Sequence, residues 1–212
     1  GYRYYWWRHC AGDVFGKTSD LFIGDHHTGP HHTMQPWGRD LLHNGKALGI
    51  GGLGIGEDMN RISAGLAPDA KIILGQNGPI HSSFRFEYNR LKYKDNIYDI
   101  NWDISISAGK RYLIHNIEIT KGGDLPMLAA MTNHMEEKDM TMKKSTDRVN
   151  QLDWLGTWGS QCYRDENPDL AAKSTEQMGM AILWARDQIS KINEFDLEFG
   201  KIFMEIRQTD ER

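Results

Sequence analysis

Apolar and polar residues alternate with a period of two along much of the chain. Between residues 100 and 106 every second residue is Ile or Trp, and the residues between them are Asn, Asp or Ser. Residues 84–88 alternate in the same way between aromatic and charged side chains. This alternation is typical of strands that bury one face. Because Ala-Gly-Lys at 108–110 has turn chemistry, we predict a hairpin over residues 97–120.

Other segments extend the same pattern. Residues 70–75 predict another short strand, and the apolar run 178–185 predicts a buried strand. We interpret 136–150 as an exposed excursion between strands. Helix is expected only as single turns near 40–46 and 187–194. No internal repeat or shift in composition divides the chain. We therefore predict an all-β fold, a large antiparallel β-sandwich with little helix, in which residues 1–212 form a single domain.

The glycine-rich run at 49–56 formally contains the GxGxxG spacing of dinucleotide-binding loops. That motif must follow a strand and open a helix in a βαβ unit, and no such alternation is present. We therefore interpret the run as a glycine-rich strand or bulge that another group approaches closely.

Composition narrows the range of partners. The formal net charge of −4 argues against a nucleic-acid partner, and no apolar run is long enough for a membrane span. Seven Trp and eight Tyr residues can build a core, but they can also provide flat platforms for sugar rings. Cys10 and Cys162 have no metal-site spacing, and whether they pair stays open. The sequence does not indicate the oligomeric state.

Residues 25–43 form the segment with the most side chains suited to catalysis or metal binding. It contains five of the nine histidines. Pro and Gly residues interrupt any regular period there. Imidazoles transfer protons near neutral pH and bind metals, and loops often carry function. We therefore predict that this loop is a site and that it lies over one face of a sheet.

A metal centre is one interpretation of these histidines. His27 and His32, or His31, together with Asp25 or Asp40, could hold one divalent ion. The side chains of adjacent residues usually diverge, no Cys is nearby, and the spacing matches no zinc motif. The metal-free interpretation is therefore preferred, and one divalent ion is the only cofactor that the residues suggest.

Sugar cleavage by a lyase needs a base and a cation that neutralises a uronate carboxylate. In our interpretation His32 is the general base or acid, and Asp40 orients it. Arg8 or Arg39 neutralises the uronate, and Trp37 stacks on a sugar ring. A hydrolase needs paired carboxylates, and the acidic residues of this chain are scattered over different elements.

Three further residues complete the predicted substrate-binding set. His81 and Arg85 share one face of a predicted strand, and His134 follows an apolar run at 127–131. Alternatively, His81 and Arg85 belong to a polar outer face of the sheet and bind no substrate. His134 alternatively has a structural role.

Several stretches resemble an uncharacterised bacterial family, domain of unknown function four-eight-six-one. They agree with it in order and spacing between residues 2 and 185, and comprise residues 2–5, 8, 13–17, 32–42, 45–51, 77–84, 107–109 and 153–159. The tail after Arg186 departs from the family pattern, and family members are longer, with strands before residue 2. The resemblance thus implies that this chain is part of a longer family domain.

The resemblance also implies a galactose-mutarotase-like supersandwich and a secreted or periplasmic protein of polysaccharide-degrading bacteria. Together with the candidate residues, it predicts a carbohydrate-active enzyme that acts on uronate-containing oligosaccharides or polysaccharides, with a lyase favoured over a hydrolase. The alternatives are a non-catalytic carbohydrate-binding module and a structural subunit.

Overall fold

A computed structural model describes most of the chain. The described residues are 2–5, 11–20, 22, 31–42, 44, 48–56, 60–61, 67–132, 141–147, 151–162, 173–186, 188–196 and 201–206. Within these ranges the chain forms fifteen strands and no helix. The predicted all-β class is therefore confirmed.

The strands, in chain order, are β1 Tyr2–Tyr5, β2 Ala11–Lys17, β3 Gly38–Asp40, β4 Gly52–Ile55, β5 Asn60–Arg61, β6 Lys71–Asn77, β7 His81–Tyr93, β8 Asn96–Ser107, β9 Ile114–Lys121, β10 Met127–Thr132, β11 Thr141–Asp147, β12 Leu152–Cys162, β13 Lys173–Ala185, β14 Ile189–Asp196 and β15 Lys201–Ile206.

These strands form four antiparallel sheets. We name each sheet after a central strand. The β2 sheet has the order β1-β2-β3, and the β10 sheet has the order β14-β15-β10-β4-β5. The β12 sheet has the order β11-β12-β13, and the β7 sheet has the order β6-β7-β8-β9. The predicted hairpin at 97–120 is β8 and β9, joined by a turn at Ala108 and Gly109.

The main core lies between the β7 sheet and the β10 sheet. Trp102 is fully buried, and Phe86 and Tyr88 pack beside it on the same face. Leu53 of β4 and Met127 of β10 meet them from the other sheet. The period-two pattern of β7 and β8 produces this one-sided burial, because successive side chains point to opposite faces. This packing is consistent with the predicted β-sandwich.

A second core connects the other sheets. Leu42, just after β3, packs with Met131 of β10, Leu155 of β12 and Trp184 of β13. All four side chains are buried. The segment that leaves the β2 sheet is thereby fixed against the body of the protein.

Part of the glycine-rich run forms β4, which confirms its interpretation as a strand. Gly56 ends it with φ +70, and a Cβ atom there would lie 1.9 Å from the hydroxyl oxygen of Tyr93. Another group therefore approaches this backbone closely, and the group is a tyrosine side chain.

Three local predictions are wrong. Residues 189–194 belong to β14, because pairing with β15 overrides the weak local preference for helix. Residues 141–147 form β11 and pair with β12, so that part of the expected excursion is a strand. In the segment 40–46, Asp40 ends β3 and the next two residues are not helical, since their backbone follows β2.

Candidate functional site

A tight turn connects the histidine-rich segment to β3. The backbone N–H of Gln35 donates to the carbonyl of Gly38 at 2.9 Å, and the N–H of Gly38 donates back at 3.0 Å. Gly38 has φ +124, and a Cβ atom there would lie 1.9 Å from the carbonyl oxygen of Gly16. Only glycine fits this position, since other residues rarely adopt that φ and the obstacle is backbone.

The same backbone brings a histidine to the end of β3. The N–H of Asp40 donates to the carbonyl of His31 at 2.8 Å, and the N–H of Leu41 donates to Val14 at 2.9 Å. The Asp40 carboxylate is oriented in turn, because its Oδ1 accepts the N–H of Leu42 at 3.0 Å. Its other oxygen, Oδ2, faces the imidazoles.

His31, His32 and Asp40 form a compact group that we call the His–Asp centre. Nε2 of His31 lies 3.8 Å from Oδ2 of Asp40, and Nδ1 of His32 lies 3.6 Å from the same oxygen. The ring centroids are 4.4 Å apart with a 41° angle between planes. The side chain of Asp40 is 0% exposed, whereas those of His31 and His32 are 28% and 21% exposed. A buried carboxylate thus lies behind two imidazoles that solvent can reach.

This arrangement suits two kinds of chemistry. A carboxylate that faces an imidazole fixes its tautomer and stabilises its protonated form, as general acid–base catalysis requires. Two imidazole nitrogens and one carboxylate oxygen are also a common donor set for a divalent metal. The three candidate ligand atoms lie within 4.8 Å of one another.

The structure brings together only part of the predicted site. His32 and Asp40 lie side by side, as the orienting role predicts, and His31 joins them. Arg39 is next to Asp40 on β3, so strand alternation directs it to the opposite face. Trp37 is 6% exposed and packs edge-on against Phe15, with ring centroids 5.8 Å apart. Its burial does not offer the open ring face that sugar stacking needs.

Three predicted residues, Arg8, His27 and His134, lie outside the described residues. Their assigned roles in charge neutralisation, metal binding and substrate binding stay predictions.

His81 and Arg85 lie on the outer face of the β7 sheet in cross-strand pairs. Arg85 donates two hydrogen bonds to the carboxylate of Asp103, at 2.8 and 2.7 Å. This hydrogen bonding, with the charge of Asp103, raises the pKa of Arg85 above its ordinary value. Nδ1 of His81 is hydrogen-bonded to Oγ of Ser107 at 3.0 Å. The guanidinium would have to exchange Asp103 for a uronate, so substrate binding here stays a prediction.

An aromatic surface on the β12 sheet is a further candidate. Trp154, Gly156 and Trp158 share one face of β12, and Gly179 of β13 lies opposite Trp158. A Cβ atom on Gly179 would lie 2.9 Å from the Trp158 ring, and one on Gly156 would lie 3.1 Å from the Trp154 ring. The indoles therefore rest against glycines, and Trp158 is 55% exposed. We call these four residues the indole platform; the Trp-Leu-Gly-Thr-Trp spacing was its signal in the sequence.

A shallow apolar groove of about 240 Å³ lies at one end of the β7 sheet. Leu74, Phe84, Ile106 and Leu113 line it where the sheet extends beyond the main core. The alternation in β7 and β8 predicts this apolar face. The sequence does not show how much of the face the β10 sheet covers.

Fold and site together define an all-β protein of antiparallel sheets that carries a His–Asp centre at the end of a short strand. The chain belongs to the family described as Domain of unknown function (DUF4861), whose model matches residues 1–209. The match confirms the resemblance seen in the sequence and includes the tail after Arg186, which had departed from the pattern. Comparison with curated proteins and with solved structures gave no match. No helix in the described part of the chain has the length and apolar character of a membrane span.

Proposed function

We propose that this protein is a carbohydrate-active enzyme that cleaves uronate-containing polysaccharide fragments, as a lyase rather than a hydrolase. The observation that carries the proposal is the position of His32. Its ring is accessible to solvent, while Nδ1 faces the buried carboxylate of Asp40 at 3.6 Å. A base of this kind is what β-elimination needs.

The proposed step is a β-elimination next to the uronate carboxylate. His32 takes the proton from C5, the C4–O4 bond breaks, and a C4–C5 double bond forms. The departing oxygen receives a proton from the imidazolium or from water. Asp40 stabilises the imidazolium as it forms. The 3.6 Å separation shortens when substrate binds, because catalytic hydrogen bonds are often long in the free enzyme.

The burial of the carboxylates favours a lyase over a hydrolase. A glycosidase presents two carboxyl groups directly to the sugar. Asp13 on β2 and Asp40 on β3 are both buried. Asp40 reaches substrate only through an imidazole. This suits an orienting role and does not suit a nucleophile or a general acid.

The uronate charge needs a cationic partner in this proposal. Arg8 is the first candidate, since Arg39 is directed to the face of β3 opposite Asp40. A cation near the substrate carboxylate stabilises the negative charge that develops as C5 loses its proton.

The decisive test is turnover of uronate oligosaccharides. Incubation with pectic, ulvan-like and arabinogalactan fragments should produce an unsaturated sugar that absorbs in the ultraviolet. His32→Gln should lower kcat/KM by about a hundredfold or more, the usual contribution of a general base. Thr33→Ala, an exposed neighbour in the same loop, is the matched control and should keep full activity. Absence of new absorbance and new fragments with all three substrates would reject the proposal.

The second candidate function, a non-catalytic carbohydrate-binding module, is favoured by the indole platform. Exposed indoles stack on sugar rings without any acid–base chemistry. In that case Trp158→Ala abolishes glycan retention on affinity gels, and the parent protein shows affinity without turnover. Turnover that is lost in His32→Gln but retained in Trp158→Ala would decide for the enzyme.

A further inference from the structure

We infer that the His–Asp centre is a binding site for one divalent transition-metal ion. The ligands are Nε2 of His31, Nδ1 of His32 and Oδ2 of Asp40. The inference goes beyond the proposed function, because the ion binds to the protein alone and needs no substrate.

The distances within the centre favour a shared ion. At 3.8 and 3.6 Å, the contacts of Oδ2 with the two imidazole nitrogens are too long for hydrogen bonds. Ligand atoms bound to one tetrahedral zinc ion lie about 3.3 Å apart, as follows from bonds of about 2.0–2.1 Å. Each imidazole nitrogen is therefore within a few tenths of an ångström of the separation from Oδ2 that a shared ion requires. All three candidate ligand atoms lie within 4.8 Å of one another.

The backbone prepares the ligands for this geometry. The N–H of Leu42 fixes Oδ1 of Asp40, which directs Oδ2 towards the imidazoles. The carbonyl of His31 accepts the N–H of Asp40, which holds the first histidine beside the carboxylate. Hydrogen bonds that orient a ligating carboxylate are typical of metal sites and strengthen binding.

The donor types and their exposure indicate the class of ion. Two nitrogens and one oxygen suit Zn²⁺, Fe²⁺, Co²⁺ or Ni²⁺, whereas Ca²⁺ and Mg²⁺ prefer oxygen ligands. Three protein ligands converge among the residues that the structure describes, and three ligands leave a coordination position open. The partial exposure of both imidazoles lets solvent reach that position. Open three-ligand sites are characteristic of catalytic rather than structural zinc.

The ion would change the roles within the proposed function. With Nδ1 of His32 bound to the ion, the proton of the neutral ring is on Nε2, so His32 could not take the C5 proton. A water bound to the ion would supply the base. The ion would also supply positive charge for the uronate carboxylate, which Arg39 does not provide on this face of β3.

Calorimetric titration of tag-free, metal-stripped protein with Zn²⁺ tests the inference. We expect one equivalent bound, no displacement by Ca²⁺, and a visible Co²⁺ spectrum with histidine ligation. His31→Gln, His32→Gln and Asp40→Asn should each weaken Zn²⁺ binding at least tenfold. His81→Gln removes an imidazole from a different sheet and should leave binding unchanged. Far-UV circular dichroism shows whether each variant folds; His31 and His32 are partly exposed, so at least those two variants remain informative.

Two results would overturn the inference: no stoichiometric binding, or binding that all three substitutions leave unchanged. The outcome is separable from that of the proposed function. Binding of Zn²⁺ without turnover keeps the ion and rejects the lyase. If the protein binds no ion and a chelator does not affect its turnover, the lyase proposal stands and the metal site is rejected.

Discussion

Trp102 donates its indole N–H to Nδ1 of His115 at 3.1 Å across the β8–β9 pair. The acceptor role of Nδ1 means that the imidazole is neutral and carries its proton on Nε2. Trp102 is completely buried, and the His115 ring lies 5.7 Å from it. Burial lowers the pKa of His115 to about 4. The imidazole thus packs against an indole of the main core and stays neutral near pH 7.

The first prediction is a loss of stability in mild acid. The unfolded chain protonates His115 near pH 6.5, but the folded chain resists protonation down to about pH 4. The stabilisation is therefore complete above pH 6.5 and is lost progressively as the pH falls towards 4. It amounts to at most about 3 kcal/mol.

Urea denaturation of wild type and His115→Gln between pH 7 and 4.5 measures this effect. Glutamine keeps an acceptor for Trp102 but does not titrate, so the variant should lose less stability on acidification. Titration of the carboxylates changes the free energy of unfolding of both proteins equally, so it cancels when the two proteins are compared. If the free energy of unfolding fell equally with pH in both proteins, the assignment of a lowered pKa to His115 would be contradicted.

The second prediction concerns the turn that builds the His–Asp centre. Gly38→Ala should destabilise the protein by at least about 3 kcal/mol, since the new methyl group meets a backbone carbonyl that cannot move aside. Gly109→Ala is the matched control. It has φ +76 but nothing within 4 Å of a Cβ atom, so its cost should be only about 1 kcal/mol. Equal urea midpoints for the two variants would show that the clash is relieved by local movement.

The sequence predicts strands well where one face is buried. β7 and β8 alternate because Phe86, Tyr88 and Trp102 face the β10 sheet while Arg85 and Asp103 face solvent. β11 and β14 were missed for the opposite reason. Their polar and charged residues carry little alternation, and they are strands because β12 and β15 pair with them. The partner strand follows closely along the chain in both cases, but the pairing itself leaves no alternation in the residues of β11 or β14.

The candidate site was only partly predictable. The sequence identifies a segment rich in imidazoles and suggests His27 with His32 or His31 as metal ligands, and His27 lies outside the described residues. The structure groups His31 and His32 on one carboxylate, because the turn before Gly38 folds their backbone over the end of β3. The burial of Trp37 likewise depends on Phe15, from another strand. Which side chains converge is therefore a property of the turn and not of the spacing.

The third prediction separates surface from core tryptophans. Trp158→Ala should change the free energy of unfolding by less than about 1 kcal/mol, since more than half of the side chain is exposed. Trp102→Ala removes a completely buried side chain and should cost about 3–5 kcal/mol. Glycan retention on affinity gels should fall only in the first variant, provided that the second is assayed where it is folded. A large loss of stability in Trp158→Ala would mean that the indole platform is structural.

The last prediction concerns the edge of the β7 sheet. β6 is an edge strand in the described sheet, and Leu74 on it is 80% exposed beside the apolar groove. An exposed apolar edge promotes pairing with other chains, and a lysine there opposes it. Leu74→Lys should therefore reduce aggregation in light-scattering assays and change stability by no more than about 0.5 kcal/mol. Leu91→Ala, at a fully buried position of β7, is the contrasting control and should cost about 2–5 kcal/mol. A comparable loss of stability in Leu74→Lys would show that this edge is covered in solution.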